Sequence, residues 1–370
     1  MRKNNKRIHS LMGVPADPCE YKESPKLISN TLIGIEVELE NVRGLDFNNE
    51  SFRKYWNIVE DGSLRDGGLE FVLSRPFAGS DLIKALKEFD KTISKYKDRI
   101  ILSERTSVHV HIDVRSLDYS QLLKFVSLYT IFEEPLFRLA GGEDRKNGIF
   151  ATSLSNAEGY INHLGSEGDS PSERNAKDII SNFSKYSACN LAAVRQYGSL
   201  EFRNHEGTYD TERILKWVNV LLLLRKNAIE NELPIQEILG NISINGAEKV
   251  FKDIFLEYSD EMMYPDLEFD MFNGLRLAQD IIYSSNLYSG IDVPKAKYLK
   301  DTLFSKFYKS HNRKRFKERF ERFIKHNNIE GSKPIPDDLL DLDRLHRILE
   351  EHNRNITIEV DDDFDNQVIR

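Results

Sequence analysis

The stretch TLIGIEVELE, residues 31–40, alternates apolar side chains with glycine and glutamate. In a strand, alternate residues share a face. Ile33, Ile35, Val37 and Leu39 therefore point toward a core, and Glu36, Glu38 and Glu40 point the other way. Three carboxylates on one face repel each other unless cations or arginines lie near. Such a face is either a solvated acidic surface or one side of a cation site.

Three further segments repeat this two-faced design. SVHVHID, residues 107–113, puts His109, His111 and Asp113 on one face and Val108, Val110 and Ile112 on the other. Imidazoles two apart in a strand can converge on one ion; a polar strand face or a hydrogen-bonded histidine pair is the plainer alternative. SLEFRNH, residues 199–205, places Glu201, Arg203 and His205 together with Leu200 and Phe202 behind them. That pattern fits a surface ion pair, or a metal ligand beside a phosphate clamp. DGSLRDGGLE, residues 61–70, is a Gly-rich turn leading into a strand in which Glu70, Val72 and Ser74 share a face.

Four strands with one charged and one apolar face predict an antiparallel sheet with helices on one side and a charged site on the other. A ligand set rich in carboxylate, with one or two histidines, suits Mg²⁺ or Mn²⁺ better than structural zinc. An iron or zinc enzyme of the cupin kind would rest on His109 and His111 alone. The Gly-rich phosphate loops G-x-x-x-x-G-K-[ST] and G-x-G-x-x-G do not occur, so a nucleotide site here would be borne by the sheet. No G-x-S-x-G elbow marks a serine hydrolase.

Around the strands the periodicity turns helical. Ser80 caps a predicted helix with Leu82, Leu86, Phe89 and Ile93 on one stripe. Leu122, Val126, Tyr129 and Phe132 mark a second helix over 119–139, and ILKWVNVLLLLRKNAIENE, residues 214–232, reads as a core helix. KYSACNLAAV and YGSLEFRNHEGT read as two strands joined near Tyr197 and Gly198. Residues 1–30, with Pro15, Pro18 and Pro25, read as an extended arm. Residues 141–180, rich in Gly, Ser, Asn and acids, read as a functional loop. A helical region is expected over 236–355, then an acidic tail over 356–370. Within it, residues 304–326 interleave Phe with Lys and Arg. The Phe spacings of three and four fit a helix face packed on a core, with the charges solvated. The alternative is a surface for nucleic acid or an acidic partner.

The 370 residues, 40% hydrophobic and 30% charged, suffice for one large domain or two, and exclude disorder throughout. A net charge of −8 argues against a dedicated nucleic-acid coat. Cys19 and Cys189 make neither a disulfide framework nor a thiolate metal site, which fits a reducing cytoplasm. No run approaches the ~18 apolar residues of a membrane span. The basic N-terminus lacks the apolar stretch of a secretory signal.

The pieces IGIEVELE, EDGSL with LEFVLSRP, SVHVHID, KYSACNL and SLEFRNHEGT occur in an order that resembles the amidoligases of the carboxylate–amine ligase superfamily. Glutamine synthetase and gamma-glutamylcysteine ligase are relatives. The resemblance covers roughly residues 31–225 and implies an α+β fold. In that fold a glutamine-synthetase-like curved antiparallel sheet carries helices on its outer face, and a catalytic domain spans 31–235. It implies ATP and Mg²⁺ (or Mn²⁺), phosphorylation of a small-molecule or peptide carboxylate, and displacement of phosphate by an amine. By motif, Glu36 and Glu38 hold metal, and Glu70 is a further ligand or substrate contact. His109 touches metal or phosphate, and His111 lies nearer the substrate. Glu201 binds metal and Arg203 phosphate. Lys185, Asn190 and Arg145 are further nucleotide contacts, and 141–180 is a lid that keeps water from the acyl phosphate. A phage or bacterial cytoplasmic ligase is the implied setting. A metal-dependent phosphotransferase on the same fold, or a non-catalytic binding protein using 304–326, are the alternatives.

Overall fold

A computed structural model describes residues 6–16, 20–141, 145, 150–154, 173–181, 183–230 and 247–264, with single positions at 267, 270, 271, 274 and 278. The chain divides into two units, residues 1–297 and 298–370, and everything described belongs to the first. The basic aromatic stretch 304–326, the acidic tail, most of 236–355 and most of the loop 141–180 lie outside the described residues.

In chain order the elements are helix α1 (Ile8–Met12), strand β1 (Ile33–Leu39), α2 (Glu50–Arg53), β2 (Trp56–Val59), β3 (Leu69–Leu73), α3 (Gly79–Ile93), β4 (Ser107–Asp113), α4 (Tyr119–Ala140), α5 (Glu173–Ser181), β5 (Cys189–Asn190), α6 (Ala192–Tyr197), β6 (Ser199–Glu206), α7 (Thr211–Glu230), α8 (Ala247–Phe255) and α9 (Ser259–Met262). The strands form one open antiparallel sheet in the order β2-β3-β1-β4-β6-β5. The mixed helix and antiparallel sheet architecture is the α+β class expected from the two-faced strands. Among the described residues no helix is long and apolar enough to cross a membrane.

The apolar face predicted for β1 is the core face: Ile33, Ile35, Val37 and Leu39 are at most 1% exposed. Helices α3, α4 and α7 cover it. The Trp56 ring lies 4.7 Å from Phe89 of α3, and Phe202 of β6 lies 5.7 Å from Phe125 and 5.3 Å from Tyr129 of α4. Phe132 of α4 meets Phe251 and Phe255 of α8 at 5.6 and 5.1 Å, so the helix layer is itself covered. Helix α7 is apolar on most sides because it packs on the sheet, α4 and α8 together. Each fully buried Phe contributes roughly 2–3 kcal/mol from area burial alone.

Two local expectations change. Helix α3 begins at Gly79, not with Ser80 as its cap. Gly79 has φ +51°, and a Cβ there would lie 2.0 Å from the Lys22 carbonyl oxygen, which accepts the Ser80 N–H at 2.7 Å. Glycine is required where the segment ahead of β1 docks. Within the stretch read as an extended arm, α1 buries Ile8, whose N–H donates to Leu117 O. Asn219 of α7 donates to Lys26 O and accepts the Ile28 N–H. KYSACNLAAV is not a single strand: only Cys189–Asn190 pairs with β6, and α6 follows, closed by Gly198 at φ +71°.

The third change is a β-bulge. Val110 pairs with Phe202 but Val108 pairs with His205, so β6 carries an extra residue opposite His109. The bulge shifts the parity of β6. His205 leaves the Glu201–Arg203 face and turns to the helices, its ring 5.9 Å from Trp217 of α7. Burial there pushes its pKa down to about 4. The folded state keeps this imidazole neutral while the unfolded chain protonates near pH 6.5. Its contribution is whole above that pH and is lost as pH falls from 6.5 toward 4, by up to about 3 kcal/mol. In urea titrations at pH 7 and pH 4, His205→Gln should lose about 3 kcal/mol less than the native chain. Identical losses would refute this.

Candidate active site

Register alone assembles the polar face. Glu38 stands opposite Glu70 of β3, and Glu36 opposite His109 of β4. His111 stands opposite Glu201 of β6, which stands opposite Asn190 of β5. Residues up to 165 positions apart in sequence thus meet because neighbouring antiparallel strands present paired side chains on one face.

Charge balance within the cluster is specific. Glu36 lies between both histidines: its Oε2 is 3.0 Å from His109 Nδ1 and its Oε1 3.3 Å from His111 Nε2. Burial pushes the Glu36 carboxyl up, but hydrogen bonds and charge from His109 and His111 outweigh it, and the group is held far below the usual carboxylate range. His111 answers in kind. Burial lowers it, Glu36 and Glu201 raise it, and the net shift is upward. Its Nδ1 lies 3.1 Å from Ser199 Oγ. Ser107 links the next pair, donating to Glu38 and lying 2.7 Å from His109 Nε2.

Glu70 has no such compensation. Burial and the charges of Glu36 and Glu38 push it up to about 8, so it carries a proton at neutral pH. Glu201 takes the opposite course: burial raises it, and His109, His111 and Arg203 bring it below its ordinary value. Asn190 donates to one Glu201 oxygen at 2.6 Å and Arg203 to the other. The Arg203 Nε donates to the Phe150 carbonyl at 3.0 Å.

A cavity of ≈ 240 Å³ opens over this face. Its lining is both acidic, from Glu36, Glu38, Asp61 and Glu70 with His109, and basic, from Arg105, Lys185 and Arg203. Three groups bring ligand atoms within 4.8 Å of one another: Glu36, His111 and Glu201; Glu36, Glu70 and His109; Glu38, Asp61 and Glu70. The two histidines fall in different groups, each with two carboxylates. Oxygen-rich donor sets of this kind fit Mg²⁺ or Mn²⁺, and a shared protonated Glu70 fits a place where a cation would displace a proton.

The structure brings together Glu36, Glu38, Glu70, His109, His111, Glu201 and Arg203, with Lys185 in the cavity wall. Asn190 and Arg145 reach the site indirectly. The Asn190 amide is committed to Glu201, and the Arg145 Nε donates to the Arg203 carbonyl at 3.1 Å. Burial pushes Arg145 down to about 10, with Arg203 contributing. Glu40 does not join its two neighbours: it is buried and accepts the Arg65 N–H at 2.8 Å, tying down the turn that carries Asp61. Asp61 and Arg105 are site residues that the strand pattern did not identify. Arg105 donates to Ser63 O at 2.9 Å and so holds the same turn. An acid opening a Gly-rich turn whose far end enters the Glu70 strand was the available signal for Asp61.

Residues 68–224 match the model of a family described as "Putative amidoligase enzyme". The matched residues include Glu70, His109, His111, Glu201 and Arg203, while Glu36 and Glu38 precede them. No curated protein matches the sequence. Among solved structures, a bifunctional glutathione synthetase from Pasteurella multocida is similar, at 13% identity and a TM-score of 0.34, covering 75% of this chain and 52% of that one. The chain thus spans about half the length of that synthetase.

Replacing Glu36 by Gln removes the hydrogen bond and the charge that raise His111, and leaves the burial that lowers it. Proton NMR titration of the metal-free Glu36→Gln protein should show the His111 pKa falling. An unchanged value would show that Glu36 does not set the charge of this imidazole.

Proposed function

We propose that this protein is an ATP- and Mg²⁺-dependent ligase that joins a carboxylate to an amine on a glutamine-synthetase-like sheet. One observation carries the reading: a single cavity is lined by four carboxylates, a histidine and three cations together. Carboxylates alone would repel a nucleotide polyphosphate, and cations alone would have no use for them. Both belong together where divalent ions sit between acids and phosphates. The family match over residues 68–224 supports the same chemistry.

In this reading Glu36, Glu38, Glu70, His109 and Glu201, with Asp61, hold the cations, which supply charge neutralisation of the phosphates. Arg203, Arg105 and Lys185, which line the same cavity, meet the transferred phosphoryl group. Arg203 is aimed by Glu201 and the Phe150 carbonyl, so little side-chain freedom is lost on binding. A substrate carboxylate oxygen bonds to the γ-phosphorus as the bond to ADP breaks. An amine nitrogen then attacks the acyl carbon, phosphate leaves, and the nitrogen loses a proton. His111, whose pKa Glu36 and Glu201 raise against burial, lies where the entering acid meets the cluster.

Calorimetry should find ATP binding that requires Mg²⁺ and weakens at least about ten-fold in Glu38→Gln and in Arg203→Ala, the size expected for a charge-assisted contact. With hydroxylamine as the amine, phosphate release should rise and a hydroxamate should form. Phosphate transfer that ignores the amine would instead identify a phosphotransferase. A folded protein that binds no ATP under any of these conditions ends the nucleotide reading.

A further inference from the structure

Beyond Glu36 the same face carries a second cavity, of ≈ 270 Å³. It shares Glu36 with the first and has His111 beside that residue at its inner end. Its walls are of another kind. Leu32, Val72, Leu73 and Pro76 make it mainly apolar, where the first cavity is lined by acids and bases. Room exists because Gly34 faces His111 across β1 and β4; a Cβ at that position would stand 3.1 Å from the His111 Cβ. Tyr197, 58% exposed, stands edge-on to the His111 ring at 5.8 Å.

The acids of this second cavity already have partners, and one of its cations does not. Glu36 is engaged by two imidazoles. Asp113 is held by Arg115 through two contacts, Nε to Oδ1 at 2.9 Å and Nη2 to Oδ2 at 3.2 Å. Arg75 stands exposed at the rim with its guanidinium 5.1 Å from the Phe77 ring, and forms no ion pair among the described residues. Arg75 is therefore a cation with no carboxylate beside it, and an ammonium group would find both carboxylates of the cavity already engaged. An acid fits better than an amine, and an apolar middle fits better than a polar one.

We propose that this second cavity binds the acid substrate, a short aliphatic chain whose reacting carboxyl lies at His111 and whose far end bears a second anionic group at Arg75. The inference rests on the ligase reading for which end reacts, but binding itself needs no turnover. Adipate is the probe, with hexanoate as its counterpart lacking the second charge and hexylamine as the cationic control.

Calorimetry on the full chain, with and without Mg²⁺ and a non-hydrolysable ATP analogue, should find adipate tighter than hexanoate by about five-fold, as a solvent-exposed ion pair allows. The difference should shrink as salt is raised. In Arg75→Gln, adipate should fall to the hexanoate level while binding of the ATP analogue is unchanged, because Arg75 does not line the first cavity. Val72→Phe should weaken both acids by filling the space. Adipate that binds no better than hexanoate, an Arg75→Gln protein that keeps the preference, or tighter binding of hexylamine each overturns the proposal. The two readings fail separately. Nucleotide binding without adipate binding leaves the ligase reading standing, and Arg75-dependent adipate binding without nucleotide binding leaves the acid site standing.

Discussion

Everything at the polar face depends on one constraint: carboxylates that repel each other must share a small, partly dry space. Glu36, Glu38, Glu70 and Glu201 are set there by strand register, which puts all four on one face of the sheet. Two imidazoles solve half of the problem. His109 and His111 flank Glu36 and hold it anionic, while the unrelieved repulsion is left at Glu70, which responds by keeping its proton. The protein thus has a strongly ionised carboxylate and a protonated one on neighbouring strands, separated by environment and not by residue type.

The rear of the sheet makes this tolerable. On the helix side of β6, the Tyr129 hydroxyl meets Asn204, and Glu133 of α4 accepts from Tyr129, Ser153 and the Leu154 N–H at 3.2, 2.7 and 2.8 Å. That buried carboxylate fixes residues 153–154, and a few positions earlier the Phe150 carbonyl orients Arg203. The bulge opposite His109 is the hinge between the layers. It turns His205 to the helices, beside Asn204, and leaves Arg203 facing the cavity. An unbulged β6 would put His205 on the charged face and take it from Trp217 of α7.

Much of this was legible in the sequence wherever period two held. The alternation in residues 33–39, 107–113 and 199–203 named the apolar and polar faces correctly, because a half-buried strand must alternate. It failed beyond Arg203, where one extra residue reverses parity without any change in composition. It failed at Glu40, which follows the same alternation as Glu36 and Glu38 but stands where the strand ends and a turn needs an acceptor. Asp61 and Arg105 were hidden for a different reason. They sit on turns, where no period applies, and only the approach of one turn to another places them at the cavity. The resemblance to amidoligases supplied the order of the strands as catalytic parts; alternation supplied their orientation.

The two cavities meet at Glu36, and this explains why that position, more than its neighbours, must be an acid between two histidines. Toward Glu38 the face is built from ionisable groups close enough to share a cation. Toward Gly34 it becomes small and mainly apolar, with Val72 and Ser199 near Glu36 and with Asp113 tied to Arg115. A boundary between a cavity of ionisable groups and an apolar pocket needs a charge that is strong on one side and quiet on the other. Glu36 with His109 on the acidic side and His111 on the apolar side meets that need. Moving the acid two residues along β1, to Gly34, would put a carboxylate against the His111 Cβ and close the second cavity. Moving it the other way would take from His111 the carboxylate that lies 3.3 Å from its Nε2. The alternation of β1 allows one place for it, and the register of β4 places both imidazoles around that place.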